Sequence, residues 1–170
     1  LAGFEVMWGG FDDIEIYSDN KEARDMVVDV IRKIDPDFII THAPNDYMPD
    51  HTAVSKLVFD ASFSATVPHY KTSVDKVARL VPIYYMEPLM GLDFLPTEYV
   101  DISPYIDKKI EMLECHKSQI VWMREHDGIN FPDMIKTASK YRGYQSGVDY
   151  AEAFTQCLVY LKGTTKRLLP

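Results

Sequence analysis

Residues 38–56 constrain this chain more than any other stretch. An apolar run, Phe38-Ile39-Ile40, stops at Thr41-His42-Ala43-Pro44-Asn45-Asp46-Tyr47-Met48-Pro49-Asp50-His51, and a helical pattern opens at about His51 with Thr52-Ala53-Val54-Ser55-Lys56. A short apolar run that ends in a polar loop and hands over to a helix is a strand–loop–helix unit. In an open α/β sheet, ligands bind in the crevice outside the carboxyl ends of the strands. Two His, two Asp and a Tyr gathered at such an end make this loop the first candidate for chemistry.

The flanking sequence extends the pattern. Phe4–Trp8 reads as a short strand, followed by a turn at Gly9-Gly10 and the acidic pair Asp12-Asp13. Ser18 or Asp19 caps a helix with Glu22 near its third position; Val27, Val28, Val30, Ile31 and Ile34 form its apolar face, and Asp35-Pro36 ends it. The strand Phe38–Thr41 follows, then a helix to about Ser64 with Val54, Leu57, Val58, Ala61 and Phe63 inward. Val67–Leu80 is a mixed, variable connection, and Pro82–Met86 and Tyr99–Ile102 are two further strands. A long helix is expected over Pro104–Glu125 with Ile106, Ile110, Leu113, Ile120 and Val121 in the core, and a last helix over Ser146–Leu161. Arg142 and Glu152 either form a structural ion pair, which is the favoured expectation, or close the pocket. Alternating strands and helices with continuous apolar strands predict an α/β domain whose mostly parallel sheet is covered on both faces. No repeat or linker divides residues 1–170, so a single domain is expected.

Charge and cysteine usage narrow the function classes. The formal net charge of −8 repels phosphate backbones and argues against nucleic-acid binding. No stretch approaches the ~20 apolar residues of a membrane span. Cys115 and Cys157 lie far apart without CxxC spacing, which suits two reduced thiols in a cytoplasmic protein. The chain opens on Leu1, and Leu1–Val6 reads as the end of a helix running into a strand; we expect an internal start with an N-terminal segment missing.

Within the loop, His51 is the strongest candidate for a metal ligand. Hydrolytic zinc sites take three protein ligands, commonly His and carboxylate, and keep a position open for water. A His in the first turn of a helix at a strand's carboxyl end can turn its imidazole into the crevice. Asp50 beside it can act as a supporting carboxylate. The same pair also suits helix capping, and His42 and Asp46 suit either a ligand cluster with His51 or plain turn hydrogen bonding.

Thr41–Ser55 resembles the second signature of the LmbE-like deacetylases, the superfamily of the N-acetylglucosaminyl-phosphatidylinositol de-N-acetylases and the deacetylases of mycothiol and bacillithiol synthesis. The family pattern there is close to T-H-x-P-x-D-x-H-P-D-H-x-A-V-S. Trp8-Gly9-Gly10-Phe11-Asp12-Asp13 is similar to the family's L-G-F-P-D-G turn, and the likeness returns at Tyr99–Ser103, at Cys115-His116-Lys117-Ser118-Gln119 and from Tyr141 to Phe154. The resemblance implies a Rossmann-like three-layer fold and one divalent metal, zinc in the first place. It further implies hydrolysis of the N-acetyl group of an N-acetylglucosamine-type conjugate by metal-activated water. It places His51 on the metal, Asp50 in catalytic support, and Asp13, His42, Tyr47 and His116 toward the substrate. It also implies a homo-oligomer, a trimer or hexamer.

Two departures stand out. The family's other ligands and its general base belong to an A-H-P-D-D-E motif that this chain lacks. Met48 stands where the family has the first His of H-P-D-H, and a thioether donates no hydrogen bond and carries no proton at neutral pH. The alternatives are therefore a catalytically impaired sugar-binding member, or another metal-dependent amide or carbohydrate hydrolase.

Overall fold

The structure, a computed structural model, describes residues 1–163 and 168–170. Its elements are α1 (Lys21–Ile34), β1 (Ile39–His42), α2 (Pro49–Ser64), β2 (Ile83–Met86), β3 (Glu98–Asp101), α3 (Ile106–Glu114), α4 (Lys117–Asp127), α5 (Phe131–Ser146) and β4 (Ala151–Gln156). Single 3₁₀ turns cover Leu89–Gly91 and Ser103–Tyr105. The α1 cap is Asn20, not Ser18 or Asp19: its side-chain oxygen accepts from the amides of Glu22 and Ala23 at 2.9 and 3.2 Å. Helix α2 has no side-chain cap and begins with Pro49 at its first turn, where the missing N–H costs nothing.

The four strands lie in the order β1-β2-β4-β3. Only β1 and β2 run parallel; β4 pairs antiparallel with both β2 and β3. The expectation of a mostly parallel sheet is thus corrected for this chain, and its cause is β4. The Ala and Glu of Ala151–Gln156 favour the expected helix, yet the segment fills the slot between two strands, with Ala151, Ala153 and Phe154 buried. Pairing on both edges overrides weak local propensity. The helix before it, α5, ends at Gly147 in the left-handed region (φ 78°), which reverses the chain into β4.

The expected long helix over 104–125 is two helices. Cys115 and His116 donate to carbonyls three residues back, Met112 and Leu113, and His116 leaves helical geometry before α4 starts. Val121, expected in the core, is 50% exposed, and Phe63 and Ile34 are also exposed.

Alternation along β1 fixes the layers. Ile39 packs with Val28, Ile31, Ala61, Ala65 and Ala78, so it faces α1 and α2. Ile40 and His42 therefore face the opposite side, where Ile40 and the neighbouring-strand Met86 line a cavity with Ile135 and Ala138 of α5. Burial of Val28 and Ile31 stabilises the α1–α2 layer by about 1.5–3 kcal/mol each, and the alanines of α2 let the two helices approach. The expected strand Phe4–Trp8 forms no ladder among the described residues, and Phe4, Val6 and Trp8 are exposed. An extended segment without a neighbouring strand has nothing to pair with.

The connection from Ala65 to Arg79 is irregular but anchored. Arg32, 1% exposed, donates to the carbonyls of Ala65, Val67, Tyr70 and Val74 and to the Thr72 hydroxyl at 2.9–3.1 Å. Asp29 accepts the amides of Ser73 and Val74, Asp25 accepts the Tyr70 hydroxyl, and Asp35 accepts the Arg79 amide. No helix among the described residues is long and apolar enough to cross a membrane.

Candidate metal centre

The loop between β1 and α2 brings three of its polar residues together. His42 is the last residue of β1 and His51 the third of α2. Asp46 joins them through a turn: one carboxylate oxygen, Oδ1, accepts the Met48 amide at 3.0 Å, a side-chain-to-backbone bond two residues on that shapes the approach to the helix. Its other oxygen, Oδ2, lies 2.9 Å from Nδ1 of His51. The His42 and His51 rings stack with centroids 4.1 Å apart and planes 11° from parallel. One ligand atom from each of His42, Asp46 and His51 falls within 4.8 Å of the others.

The protonation pattern follows from these contacts. Burial pushes the Asp46 carboxyl up, but the Met48 amide and the His51 ring outweigh it and hold it below the usual carboxylate range. An ionised carboxylate only accepts, so His51 must donate from Nδ1, and the Nε2 lone pair is left for a ligand. The Asp46 side chain is 1% exposed and that of His51 34%, so the orienting group is sheltered while the imidazole reaches solvent. This is the carboxylate–histidine pairing that sets metal-binding imidazoles. Burial first, and then the repulsion a second cationic ring beside His51 would meet, lowers the pKa of His42 and favours the neutral ring, the form that binds a metal. Two imidazole nitrogens backed by a carboxylate fit a borderline divalent cation such as zinc.

The remaining expected residues are placed differently. Asp50 is buried in the first turn of α2; its Oδ2 accepts the Ile14 amide at 2.6 Å, which draws the turn bearing Asp12 and Asp13 to the residue next to His51. Asp50 Oδ1 is buried without a hydrogen-bond partner among the described residues. Asp13 is exposed on that turn, and Tyr47 is exposed on the loop. His116 stands exposed at the cap of α4 and is not among the converging ligand atoms.

The expected Arg142–Glu152 pair does not form. Arg142 binds Glu87 through both Nε and Nη2, and Glu152 binds Lys109 at 2.7 Å. Of these four, Glu87, Lys109 and Glu152 line a largely apolar cavity of about 390 Å³ on the His42 side of the sheet. The partners of Arg142 and Glu152, on a loop and on α3, had no spacing signal in the sequence. Asp46 did have one: an Asp two residues before the residue that caps a Pro-initiated helix is a turn former whose free oxygen faces the helix start.

The family model described as "PIG-L: GlcNAc-PI de-N-acetylase" matches residues 1–62. The diacetylchitobiose deacetylase of Thermococcus kodakarensis is 29% identical over 138 residues, covering 78% of this chain and 49% of that protein. The chain thus spans about half the length of that curated relative. Among solved structures, a conserved protein of Thermus thermophilus aligns with TM-score 0.74 and 28% identity, over 93% of this chain and 68% of that one. The 4-carboxy-2-hydroxymuconate hydratase of Pseudomonas putida aligns with TM-score 0.68 at 23% identity, over 86% and 62%. The N,N'-diacetylchitobiose deacetylase of Pyrococcus horikoshii also aligns with TM-score 0.68, at 21% identity, over 86% and 54%. The last two likenesses concern the fold alone.

Proposed function

Because this chain belongs to the LmbE-like superfamily, we propose that it carries part of the active site of a metal-dependent N-deacetylase acting on an N-acetylated amino-sugar conjugate. The observation that carries the proposal is the convergence of His42, Asp46 and His51 inside the family's signature segment. The chemistry a divalent metal, zinc in the first place, would supply there is polarisation of an acetamide carbonyl and activation of water at neutral pH. His51 would hold the metal through its imidazole, with Asp46 fixing the tautomer through Nδ1. His42, neutral and stacked on His51, is either a further ligand or a wall of the substrate site. Asp50 places a buried negative charge one residue away, which favours a cation at the site. Tyr47 and Asp13 stand exposed near the loop, where sugar hydroxyls would reach them.

Fold alone does not select this reaction, since a hydratase and a deacetylase align equally well with the chain. The reading rests on the loop's ligands. Acetate release from a panel of N-acetylated amino sugars, with and without a chelator, tests it; turnover that persists unchanged in chelator refutes it. Met48 supports a second reading, a member with weakened catalysis, because its thioether offers no proton where the family carries an imidazole. One oxyanion donor is worth about two to three powers of ten in rate, so Met48→His is expected to raise kcat by at least about tenfold in an impaired enzyme. An unchanged kcat removes the second reading.

A further inference from the structure

Ile14 has φ 67°. A β-branched residue in the left-handed region is an outlier that persists only where its surroundings hold it. The hold comes from Asp50: the Ile14 amide donates to Asp50 Oδ2 at 2.6 Å, across 36 residues of sequence. Asp50 is 8% exposed, and its second oxygen has no partner, so the Ile14 amide is the hydrogen-bond donor this buried group has among the described residues. Around Ile14 the turn has few anchors. Asp12, Asp13, Ile14 and Glu15 are all exposed, Gly10 is also left-handed, and the turn's own bond is Glu15 N to Asp12 O at 3.2 Å. Asp50, by contrast, sits on a sixteen-residue helix, one residue before His51.

We infer that Asp50 is a positioning residue, which locks Ile14 into its strained conformation and thereby seats the Asp12–Asp13 turn beside the metal loop as the wall facing the sugar's hydroxyls. Part of this rests on the deacetylase reading, which supplies the sugar; the seating of the turn does not. The two roles of Asp50 separate by chemistry. Its charge acts on the cation, whereas its Oδ2 acts on the turn, and an amide oxygen can replace the second function without the first. The side-chain carbonyl introduced by Asp50→Asn would still accept from Ile14, about half as strongly as the carboxylate.

The test is amide exchange at position 14 combined with steady-state kinetics on a soluble N-acetylated amino sugar. Asp50→Ala is expected to speed Ile14 exchange by more than about twentyfold, and Asp50→Asn by no more than about fivefold, with α2 amides protected in both. Kinetically, D50A raises KM to the level of Asp13→Ala, and the double variant adds nothing further; D50N lowers kcat while KM stays within about threefold of the parent. Ile14→Gly removes the strain, so it makes the turn tolerant of D50A and serves as the background if D50A alone does not fold. Unchanged Ile14 exchange in D50A, equal losses in D50N and D50A, or failure of the D50A and I14G double variant to fold each overturns the proposal. A chain that never releases acetate refutes the deacetylase reading and leaves the exchange arm to judge the seating of the turn.

Discussion

Asp46→Asn is the most discriminating single change at the candidate centre. The asparagine carbonyl can keep the bond to the Met48 amide, now at 3.0 Å. Its amide group then occupies the place of Oδ2, 2.9 Å from Nδ1 of His51, and it donates where the carboxylate accepted. Nδ1 must turn acceptor, the proton moves to Nε2, and the lone pair that would meet a metal is lost. Binding then requires the opposite tautomer and leaves a donor, in a side chain 1% exposed, facing an N–H. The charge-assisted bond forfeited is worth about 1.5–3 kcal/mol, which corresponds to roughly 10- to 100-fold in affinity. Removing such a supporting carboxylate elsewhere costs a similar factor. Competition against a chromophoric chelator at pH 7 reads the zinc affinity, and a urea titration of the same samples checks the fold. Binding within about threefold of the parent would refute the orienting role of Asp46. A loss beyond about a thousandfold would make Asp46 itself a ligand and refute it from the other side.

Two further predictions concern the segment that α1 holds. Arg32→Met strands four carbonyls and a hydroxyl that now receive the guanidinium, so a loss of about 3–5 kcal/mol in a urea titration is expected, and Arg32→Lys, with three donors for five bonds, recovers only part of it; a loss under about 1 kcal/mol for R32M contradicts this account. Burial raises Asp29, but Thr72, Val74 and Ser73 outweigh it and hold its carboxyl below the usual range, as Lys21 and Tyr70 do for Asp25. A depressed native pKa stabilises above the ordinary carboxylate value of about 3.9 and is lost as pH falls through the lowered one. Amides of residues 70–79 should therefore lose protection as pH falls below the ordinary carboxylate range, earlier than those of α2, and Asp29→Asn should flatten that dependence; simultaneous loss in both regions argues against the anchoring acids.

What the sequence revealed, and what it did not, divides along a physical line. Helix α1, β1, α2 and β2 were legible because each carries its own apolar period and lies within about two residues of its expected bounds. Strand β4 was not, since Ala-Glu-Ala is a helix former by local propensity and becomes a strand only because β2 and β3 leave a slot for it. The split into α3 and α4 turns on two 3₁₀-like bonds at Cys115 and His116, which no composition signal marks.

At the site the same line separates His51 from its surroundings. His51 was readable because helix onset and strand end are local events. Its partner was readable only in part: Asp46 is a turn former by type, but the bond to His51 depends on Pro49 starting α2 directly after the turn. The Asp50–Ile14 bond spans 36 residues and has no periodic trace at all, nor do the pairs Arg142–Glu87 and Lys109–Glu152. Side chains whose role is set by a helix start can thus be found from sequence, while those set by a strained backbone or a distant carboxylate cannot. For the loop Thr41–His51 this means that the candidate ligand His51 was visible before the structure, whereas its bond to Asp46 emerged only with it.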